Sequence, residues 1–251
     1  MTSLFIDRVS KKFGGVTAVS DLSMTIAPRG ITGLIGPNGA GKTTVVNLIT
    51  GMLKVSSGTI RMQERDITED APQAIARSGI SRTFQNIRLL KDASVLDNVA
   101  VGFHMHERTS LAANLLGFPS VWREKKAFRE RAHAMLQRFD LERYADYPAG
   151  GLSYGHQRRV EMMRALAMSP TILLLDEPVA GMNDVEADAL GVMFRQLADE
   201  GLGILLIEHN MRFVMSLCDV VYVIAFGKLI ADGSAQDVCS RPAVIDAYLG
   251  A

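Results

Sequence analysis

The stretch Gly36–Thr43 has the residue spacing of a loop that binds phosphate. It fits the pattern G-x-x-x-x-G-K-[ST], in which glycine turns let backbone N–H groups converge on phosphate oxygens. The apolar stretch Ile31–Ile35 before it predicts a buried strand, and Thr43–Ile49 after it predicts a helix. A strand, a glycine turn and a helix N-terminus together form an anion site, because the helix dipole favours negative charge there. The stretch therefore predicts nucleotide binding.

The side chains of this loop have separate predicted tasks. Lys42 would reach the β- and γ-phosphates, and the Thr43 hydroxyl would contact Mg²⁺. A glycine turn that fits the pattern by chance is the alternative, but it does not account for the strand and the helix on either side. The predicted nucleotide-binding residues of the loop are Gly36, Pro37, Asn38, Gly39, Ala40, Gly41, Lys42, Thr43 and Thr44.

Two carboxylates follow a second apolar stretch, Ile172–Leu175. A buried parallel strand that ends in Asp176 and Glu177 would bring both groups to the edge of the sheet where ligands bind. Asp176 would hold Mg²⁺, directly or through water, and Glu177 would polarise an attacking water. A solvated acidic turn is the alternative interpretation.

Two further stretches place polar groups at element ends. Ile204–Ile207 predicts a strand, and His209 follows it at a position from which it could reach a γ-phosphate. Leu152–Gln157 opens a helix, and Ser153 is a good N-cap residue. Ser153 also presents a hydroxyl at a helix N-terminus, where an anion is favoured. A cap with no ligand is the alternative for Ser153.

The remaining pattern predicts the elements that position these groups. Strand and helix signals alternate in residues 1–85 and 168–251, which predicts a parallel sheet covered on both faces, with an antiparallel edge. Residues 86–167 lack strand signals and predict an inserted helical subdomain, with an irregular segment over His104–Val121. In its long helix the residues Phe128, Ala132, Met135, Leu136 and Phe139 share one face.

Composition limits the possible partners. Lys plus Arg and Asp plus Glu both number 27 in 251 residues, so the net charge is zero and no global field attracts nucleic acid. Cys218 and Cys239 have no disulfide or zinc spacing, which favours a reduced, cytosolic compartment. Asp7 and Arg8 argue against a signal peptide, and apolar runs such as Val220–Phe226 are too short to span a membrane. We therefore expect a cytoplasmic protein.

Taken together, the motifs resemble those of the ATP-binding-cassette (ABC) ATPases, in order and over essentially the whole chain. That fold is an α/β P-loop NTPase, with a RecA-like parallel-sheet core, an antiparallel β edge and an inserted α-helical subdomain. The closest resemblance is to the ATP-binding subunits of branched-chain amino-acid (Liv-type) importers, through Arg82–Leu89, Leu206–Met211 and Val244–Gly250. The motifs that carry the family resemblance are Phe13, Gly36–Thr43, Gln85, Leu152–Gln157, Ile172–Glu177 and His209.

The resemblance implies roles for individual residues. Glu177 is the catalytic base, His209 contacts the γ-phosphate, and Gln85 senses Mg²⁺ and the attacking water. The implied metal-binding residues are Thr43, Gln85 and Asp176. The other implied nucleotide contacts are Phe13 at adenine and Ala18 at the nucleoside, with Ser153, Gly155 and Gln157 reaching ATP that is bound by a second copy.

The resemblance also implies partners. The active form would be a head-to-tail dimer, either of this chain or with a paralogous ATPase, with two ATP molecules between the subunits. The helical subdomain would dock on a transmembrane permease, and a solute-binding protein would supply the substrate. The chain would then be peripheral on the inner face of the cell membrane, with no nucleic acid among its ligands.

Two residues depart from the family pattern. Tyr154 stands where the signature usually has a small glycine, so its ring must point away from the γ-phosphate. Asn183 ends a loop that carries aspartate in many relatives. Neither change removes a group that hydrolysis needs.

The sequence leaves the transported solute open. A related cassette for urea or amide import or for lipopolysaccharide export would have the same motifs. A non-transport ABC ATPase would instead be expected to carry coiled-coil insertions, tandem cassettes or a basic face.

Overall fold

The computed structural model describes residues 2–83, 87–106 and 118–249, and the structural statements below refer to these residues. The described residues form two compact units, one within residues 1–82 and 171–251 and the other within residues 83–170. The strands are β1 (Leu4–Phe13), β2 (Val16–Ile26), β3 (Gly30–Ile35), β4 (Ser57–Met62), β5 (Arg65–Asp66), β6 (Ile80–Arg82), β7 (Ile172–Asp176), β8 (Gly203–Ile207), β9 (Val220–Ala225) and β10 (Lys228–Gly233). The helices are α1 (Lys42–Ile49), α2 (Pro72–Arg77), α3 (Val95–Gly102), α4 (Pro119–Arg138), α5 (Tyr154–Ala167), α6 (Asp184–Asp199), α7 (Met211–Leu217), α8 (Ala235–Cys239) and α9 (Pro242–Leu249).

The first unit is built on a sheet with the strand order β10-β9-β3-β8-β7-β6. The strands from β9 to β6 run parallel, and β10 pairs antiparallel with β9 at one edge. Every residue of β7 and β8 is buried, which explains their continuous apolar sequences. The predicted parallel sheet with an antiparallel edge is confirmed. Its parallel strands end at one edge, so β3, β7 and β8 deliver the residues that follow them to the same place.

A second, antiparallel sheet in the same unit has the order β2-β1-β4-β5. Alternating apolar and polar residues predict strands at Ser3–Val9 and Leu22–Ala27, with Lys11–Gly15 in a loop between them. In the structure Lys11–Phe13 belongs to β1, and only Gly14–Gly15 forms the turn. The missed residues lie in the exposed half of the hairpin, where register shifts interrupt the alternation of apolar and polar residues. One hydrophobic cluster joins residues of both sheets and of α1.

The second unit is helical. Ser94 caps α3 by accepting a hydrogen bond from the backbone N–H of Asp97, as a serine at this position does. The predicted apolar face of α4 is buried at Phe128, Ala132 and Leu136. The irregular segment predicted over His104–Val121 is wrong at its end, because α4 begins at Pro119; residues 107–117 lie outside the described residues. Proline suits the first turn of a helix, where its missing N–H has no helical partner to lose. No helix in the described ranges is both long and apolar enough to span a membrane.

The β9–β10 turn holds Phe226 in a backbone conformation that is unfavourable for phenylalanine. Phe226 and Gly227 have φ of 49° and 77°, the left-handed pair of a type I′ turn, and Phe226 is 88% exposed. Asparagine adopts this backbone conformation at a lower energetic cost than phenylalanine does. We expect Phe226→Asn to raise the free energy of unfolding by about 1 kcal/mol. In calorimetry this corresponds to about 2–4 °C in Tm for a chain of this length.

Phe226→Ala is the matched control, because it removes the exposed ring but keeps a side chain that disfavours positive φ. Its Tm should rise by less than half as much. Equal gains from the two variants would show that the exposed ring, and not the backbone conformation, carries the cost.

Candidate nucleotide-binding and hydrolysis site

The phosphate loop joins β3 to α1, and its glycines adopt conformations that other residues avoid. Gly36 and Gly41 have φ of 152° and 107°. A Cβ atom would lie 2.0 Å from the Ile224 carbonyl oxygen at Gly36 and 2.6 Å from the Ala18 carbonyl oxygen at Gly41. Both positions therefore require glycine. Gly41 also caps α1 without a side chain, so the first N–H groups of the helix point at the loop.

Lys42 lies folded against this loop. Its ammonium donates hydrogen bonds to the carbonyl oxygens of Gly36 at 2.6 Å and Pro37 at 3.0 Å, and the residue is only 8% exposed. Burial lowers the pKa of Lys42, while the carboxylates of Glu177 and Asp176 act in the opposite direction. The loop thus holds a partly desolvated cation at the place where phosphate would bind.

The β9–β10 turn braces the loop from the side. The Gly227 N–H donates to the Ala40 carbonyl at 3.0 Å, and the Gly227 carbonyl accepts from the Ser20 N–H at 2.7 Å. The Ala18 backbone also packs against both Gly41 and Gly227. The predicted nucleoside contact Ala18 therefore lies directly beside the phosphate loop.

Phe13, the residue that the resemblance places at adenine, ends β1. Its side chain is 46% exposed, and the Lys11 ammonium lies 5.2 Å from the ring centroid. A phenylalanine that is half-exposed at a hairpin end has a ring free to stack on a planar group. Its role at the base stays a prediction.

Asp176 and Glu177 stand at the end of β7, beside the end of β8. Asp176 pairs with Ile207 across the two strands, and the Glu177 N–H donates to the Ile207 carbonyl at 2.9 Å. Glu177 Oε1 lies 3.6 Å from Nδ1 of His209. The structure thus brings together the predicted base and the predicted γ-phosphate contact. The Glu177 backbone has φ of 49°, a conformation that costs about 1–3 kcal/mol and is concentrated at functional sites.

Arg82 holds Asp176, which the sequence interpretation missed. Arg82 Nη2 lies 3.0 Å from Asp176 Oδ2, and Arg82 Nη1 donates to Asn47 Oδ1 at 2.6 Å. Only 12% of the arginine side chain is exposed, so Arg82 is not part of a solvated basic face. β6 runs beside β7, and this pairing is the reason that Arg82 reaches the carboxylate. The basic residue at the end of β6 was the signal in the sequence that could have indicated this ion pair.

Glu208 is a second residue that sequence reasoning assigned no role. Its side chain is fully buried and accepts hydrogen bonds from the N–H groups of Val179 at 3.2 Å, His209 at 3.2 Å and Asn210 at 3.4 Å. Burial raises the pKa of Glu208 despite these hydrogen bonds. Glu208 therefore ties the segment after β7 to the segment that carries His209. Glu208 directly follows the fully buried strand β8, as Glu177 directly follows β7, and this position was the signal in the sequence.

In the second unit, Ser153 caps α5 as predicted. Its hydroxyl oxygen accepts from the His156 N–H at 3.4 Å, and Gln157 Nε2 donates to the Leu152 carbonyl at 2.8 Å. Gly155 lies in the first turn of the helix, and the Tyr154 side chain is 45% exposed. The predicted contacts Ser153, Gly155 and Gln157 thus lie together at one helix N-terminus.

Of the two remaining residues singled out in the sequence, the structure describes Asn183 but not Gln85. Asn183 forms a capping box with Glu186, whose N–H donates to Asn183 Oδ1 at 2.9 Å while the Asn183 N–H donates to Glu186 Oε2 at 3.2 Å. Asparagine caps a helix as well as aspartate does, so this departure from the family keeps the local structure. Gln85 lies outside the described residues, and its roles stay predictions.

Comparison with known proteins agrees with this geometry. The ABC transporter family model matches residues 19–180, and the model of the branched-chain amino acid ATP-binding cassette transporter matches residues 228–251. The branched-chain amino acid transport ATP-binding proteins LivG of Salmonella typhimurium and BraF of Pseudomonas aeruginosa are 41% and 40% identical over 248 residues. Each alignment covers 98% of this chain and 97% of the relative.

Solved structures give the same result. The chain is similar to a nucleotide-free ATP-binding cassette from an ABC transporter, with a TM-score of 0.87 and 32% identity over 100% of both chains. It is similar to the ADP conformation of the ATP-binding cassette MJ1267, with a TM-score of 0.87 and 33% identity over 100% of both chains. The chain therefore belongs to the ABC transporter family and is an ATPase.

Proposed function

We propose that this ATPase powers the import of branched-chain amino acids. One observation carries the proposal: a complete phosphate loop and the Glu177–His209 pair lie at one sheet edge, in a chain similar over nearly its whole length to transport proteins with that substrate. The match of residues 228–251 to the branched-chain family model also supports this substrate over urea, amides or lipopolysaccharide.

Hydrolysis follows from the arrangement of the side chains. The N–H groups at the start of α1 and the Lys42 ammonium bind the phosphates and stabilise the negative charge that develops on them. Glu177 accepts a proton from the attacking water, whose oxygen forms the new bond to the γ-phosphorus as the bond to the β-phosphate oxygen breaks. His209, 3.6 Å from Glu177, hydrogen-bonds the γ-phosphate and keeps the base in position. The products are ADP and phosphate.

The residues present fit Mg²⁺. The Thr43 hydroxyl and the Asp176 carboxylate are the hard oxygen ligands that this ion prefers. In the described part of the chain, no group of three or more His, Cys, Asp or Glu residues could hold a metal by itself. This agrees with an ion bound through one carboxylate and the phosphates of the nucleotide. When bound, Mg²⁺ would neutralise phosphate charge.

A second cassette completes the site in this proposal. Ser153 and Gly155 lie at the N-terminus of α5, which has the dipole and the donors of an anion site. The proposed arrangement is a head-to-tail pair in which this terminus reaches ATP on the other subunit. The pair consists of two copies of this chain or of this chain with a paralogue.

The permease contact is assigned to the second unit. A groove of about 190 Å³ lies between α3 and α4. Its lining residues are Ala100, Val101, His104 and Phe128 together with the charged Asp97, Lys125 and Arg129. A short amphipathic segment of a permease would fit a groove lined by both apolar and charged side chains. Docking there places the chain on the inner face of the membrane.

Reconstitution tests the transported solute. The chain is co-purified with its permease and combined with the solute-binding protein in vesicles that contain ATP. We expect leucine uptake that depends on ATP and is lost when Lys42 is replaced by methionine. Uptake of urea or an amide without leucine would contradict the proposed substrate, and it would leave the ATPase assignment intact.

A further inference from the structure

The helix α4 has a net positive charge, although the chain as a whole has a net charge of zero. Along Pro119–Arg138 there are six basic and two acidic side chains, a net charge of +4 in a chain whose net charge is zero. Several of the basic side chains are solvent-exposed, and that of Lys126 is 80% exposed. The positive charge is therefore concentrated on one exposed element of the second unit.

Large aromatic side chains lie beside this charge. Trp122 is 72% exposed and Phe118, at the N-cap of α4, is 49% exposed. Phe118 precedes Trp122 by four residues, and Lys125 and Lys126 follow it at i+3 and i+4. Residues at these spacings share one side of a helix. We call Phe118, Trp122, Lys125 and Lys126 the basic-aromatic stripe.

Packing of α4 against the rest of the unit does not require the aromatic and basic side chains of the stripe. Val121 and Phe128 are the buried residues of this part of α4, and both lie outside the stripe. Within the described residues, Lys125 forms no ion pair, and Lys126 has a 3.9 Å contact with Glu130 between two largely exposed side chains. An ion pair between exposed side chains contributes little to the stability of the fold. The stripe is thus open to a ligand.

We propose that the basic-aromatic stripe binds the anionic phospholipid surface of the membrane. Tryptophan is enriched at membrane–water interfaces, where its ring lies at the headgroups, and lysines beside it attract anionic lipid. From Phe118 to Lys126 the stripe is about 12 Å long, which suits a contact with several headgroups. Its Lys125 also lines the α3–α4 groove, so the stripe continues the surface assigned to the permease. The proposal rests on the proposed function only for the location of the chain at the membrane.

Fluorescence and flotation test this contact with the full-length chain. The probe is a vesicle of phosphatidylglycerol and phosphatidylcholine in equal amounts, compared with phosphatidylcholine alone. Trp122 is the only tryptophan of the sequence, so its emission reports this site. We expect the chain to float with the anionic vesicles, its emission to shift to shorter wavelength, and both effects to weaken as salt is raised.

Lys125→Gln/Lys126→Gln should weaken binding to the anionic vesicles about 30-fold, since each lysine near such a surface contributes about fivefold. Arg29→Gln/Arg77→Gln is the matched control, because it removes the same charge from two exposed positions of the first unit. The control should bind like the unchanged chain.

Three outcomes of the vesicle experiment would overturn the proposal. They are equal binding to the two kinds of vesicle, an unshifted Trp122 emission in the bound state, or equal weakening by the control. Loss of permease binding in the lysine variant without any vesicle binding would also overturn it in favour of a protein contact. The vesicles contain neither permease nor ATP, so none of these outcomes bears on hydrolysis or on the transported solute.

Discussion

Glu177→Gln is expected to lower the rate of ATP hydrolysis about 10²–10⁴-fold, the usual contribution of a positioned general base. Glutamine has the shape of glutamate but cannot accept the proton of the attacking water. Glu177 is 20% exposed in its side chain and lies 3.6 Å from His209, so the substitution leaves the site filled. Binding of ATP should therefore persist. Phosphate release at saturating ATP and the equilibrium Kd for ATP measure the two quantities separately.

Glu64→Gln is the matched control for this variant. Glu64 is exposed in a turn of the antiparallel sheet, so the same chemical change there should leave the hydrolysis rate unchanged. A Glu177→Gln enzyme that still released phosphate within a factor of about three of the unchanged rate would show that another group acts as base.

Lys42→Met is expected to weaken ATP binding at least about 10-fold, since a hydrogen bond to a charged group contributes about 1.5–3 kcal/mol. Hydrolysis should fall further, because the ammonium also stabilises charge that develops in the transition state. The measurements are the Kd for ATP and the rate of phosphate release. Lys91→Met, at an exposed position of the second unit, is the control and should change neither.

The same variant should remain folded. Burial lowers the pKa of Lys42 below its unfolded value, so the charged form is held less well in the folded chain at every pH below that value. Removing the charge ends this penalty, and the loss of the hydrogen bonds to Gly36 and Pro37 opposes the gain. We expect a Tm without nucleotide within a few degrees of the unchanged chain. A large fall in Tm would mean that the lost activity reports unfolding.

Local patterns predicted individual elements well where burial and caps are encoded in consecutive residues. The sequence predicts helices from about Asp184 to Asp199 and over Met211–Leu217, and the structure has both. Asn183 and Asn210 cap these helices, and their apolar residues recur with the helical period. The buried strand β7 was likewise evident from four consecutive apolar residues, Ile172–Leu175.

Long-range partners were not predictable in this way. The sequence showed the strands β1 and β2, but it did not show that β4 and β5 complete a separate sheet with them. The roles of Arg82 and Glu208 depend on which strand neighbours which, since Arg82 reaches Asp176 through the pairing of β6 with β7. A charged residue at the end of a strand predicts a particular partner only when the order of the strands in the sheet is known.

The most direct test of the proposed head-to-tail pair is the molar mass of the Glu177→Gln chain in solution, measured by light scattering with and without ATP and Mg²⁺. We expect the mass of one chain without nucleotide and of two chains with it, because ATP would bridge Lys42 of one copy and Ser153 of the other while hydrolysis is blocked. If this chain pairs only with a paralogue, the same rise appears when the two chains are mixed. A mass that stays at one chain in both experiments, with ATP bound, would contradict the proposed pairing.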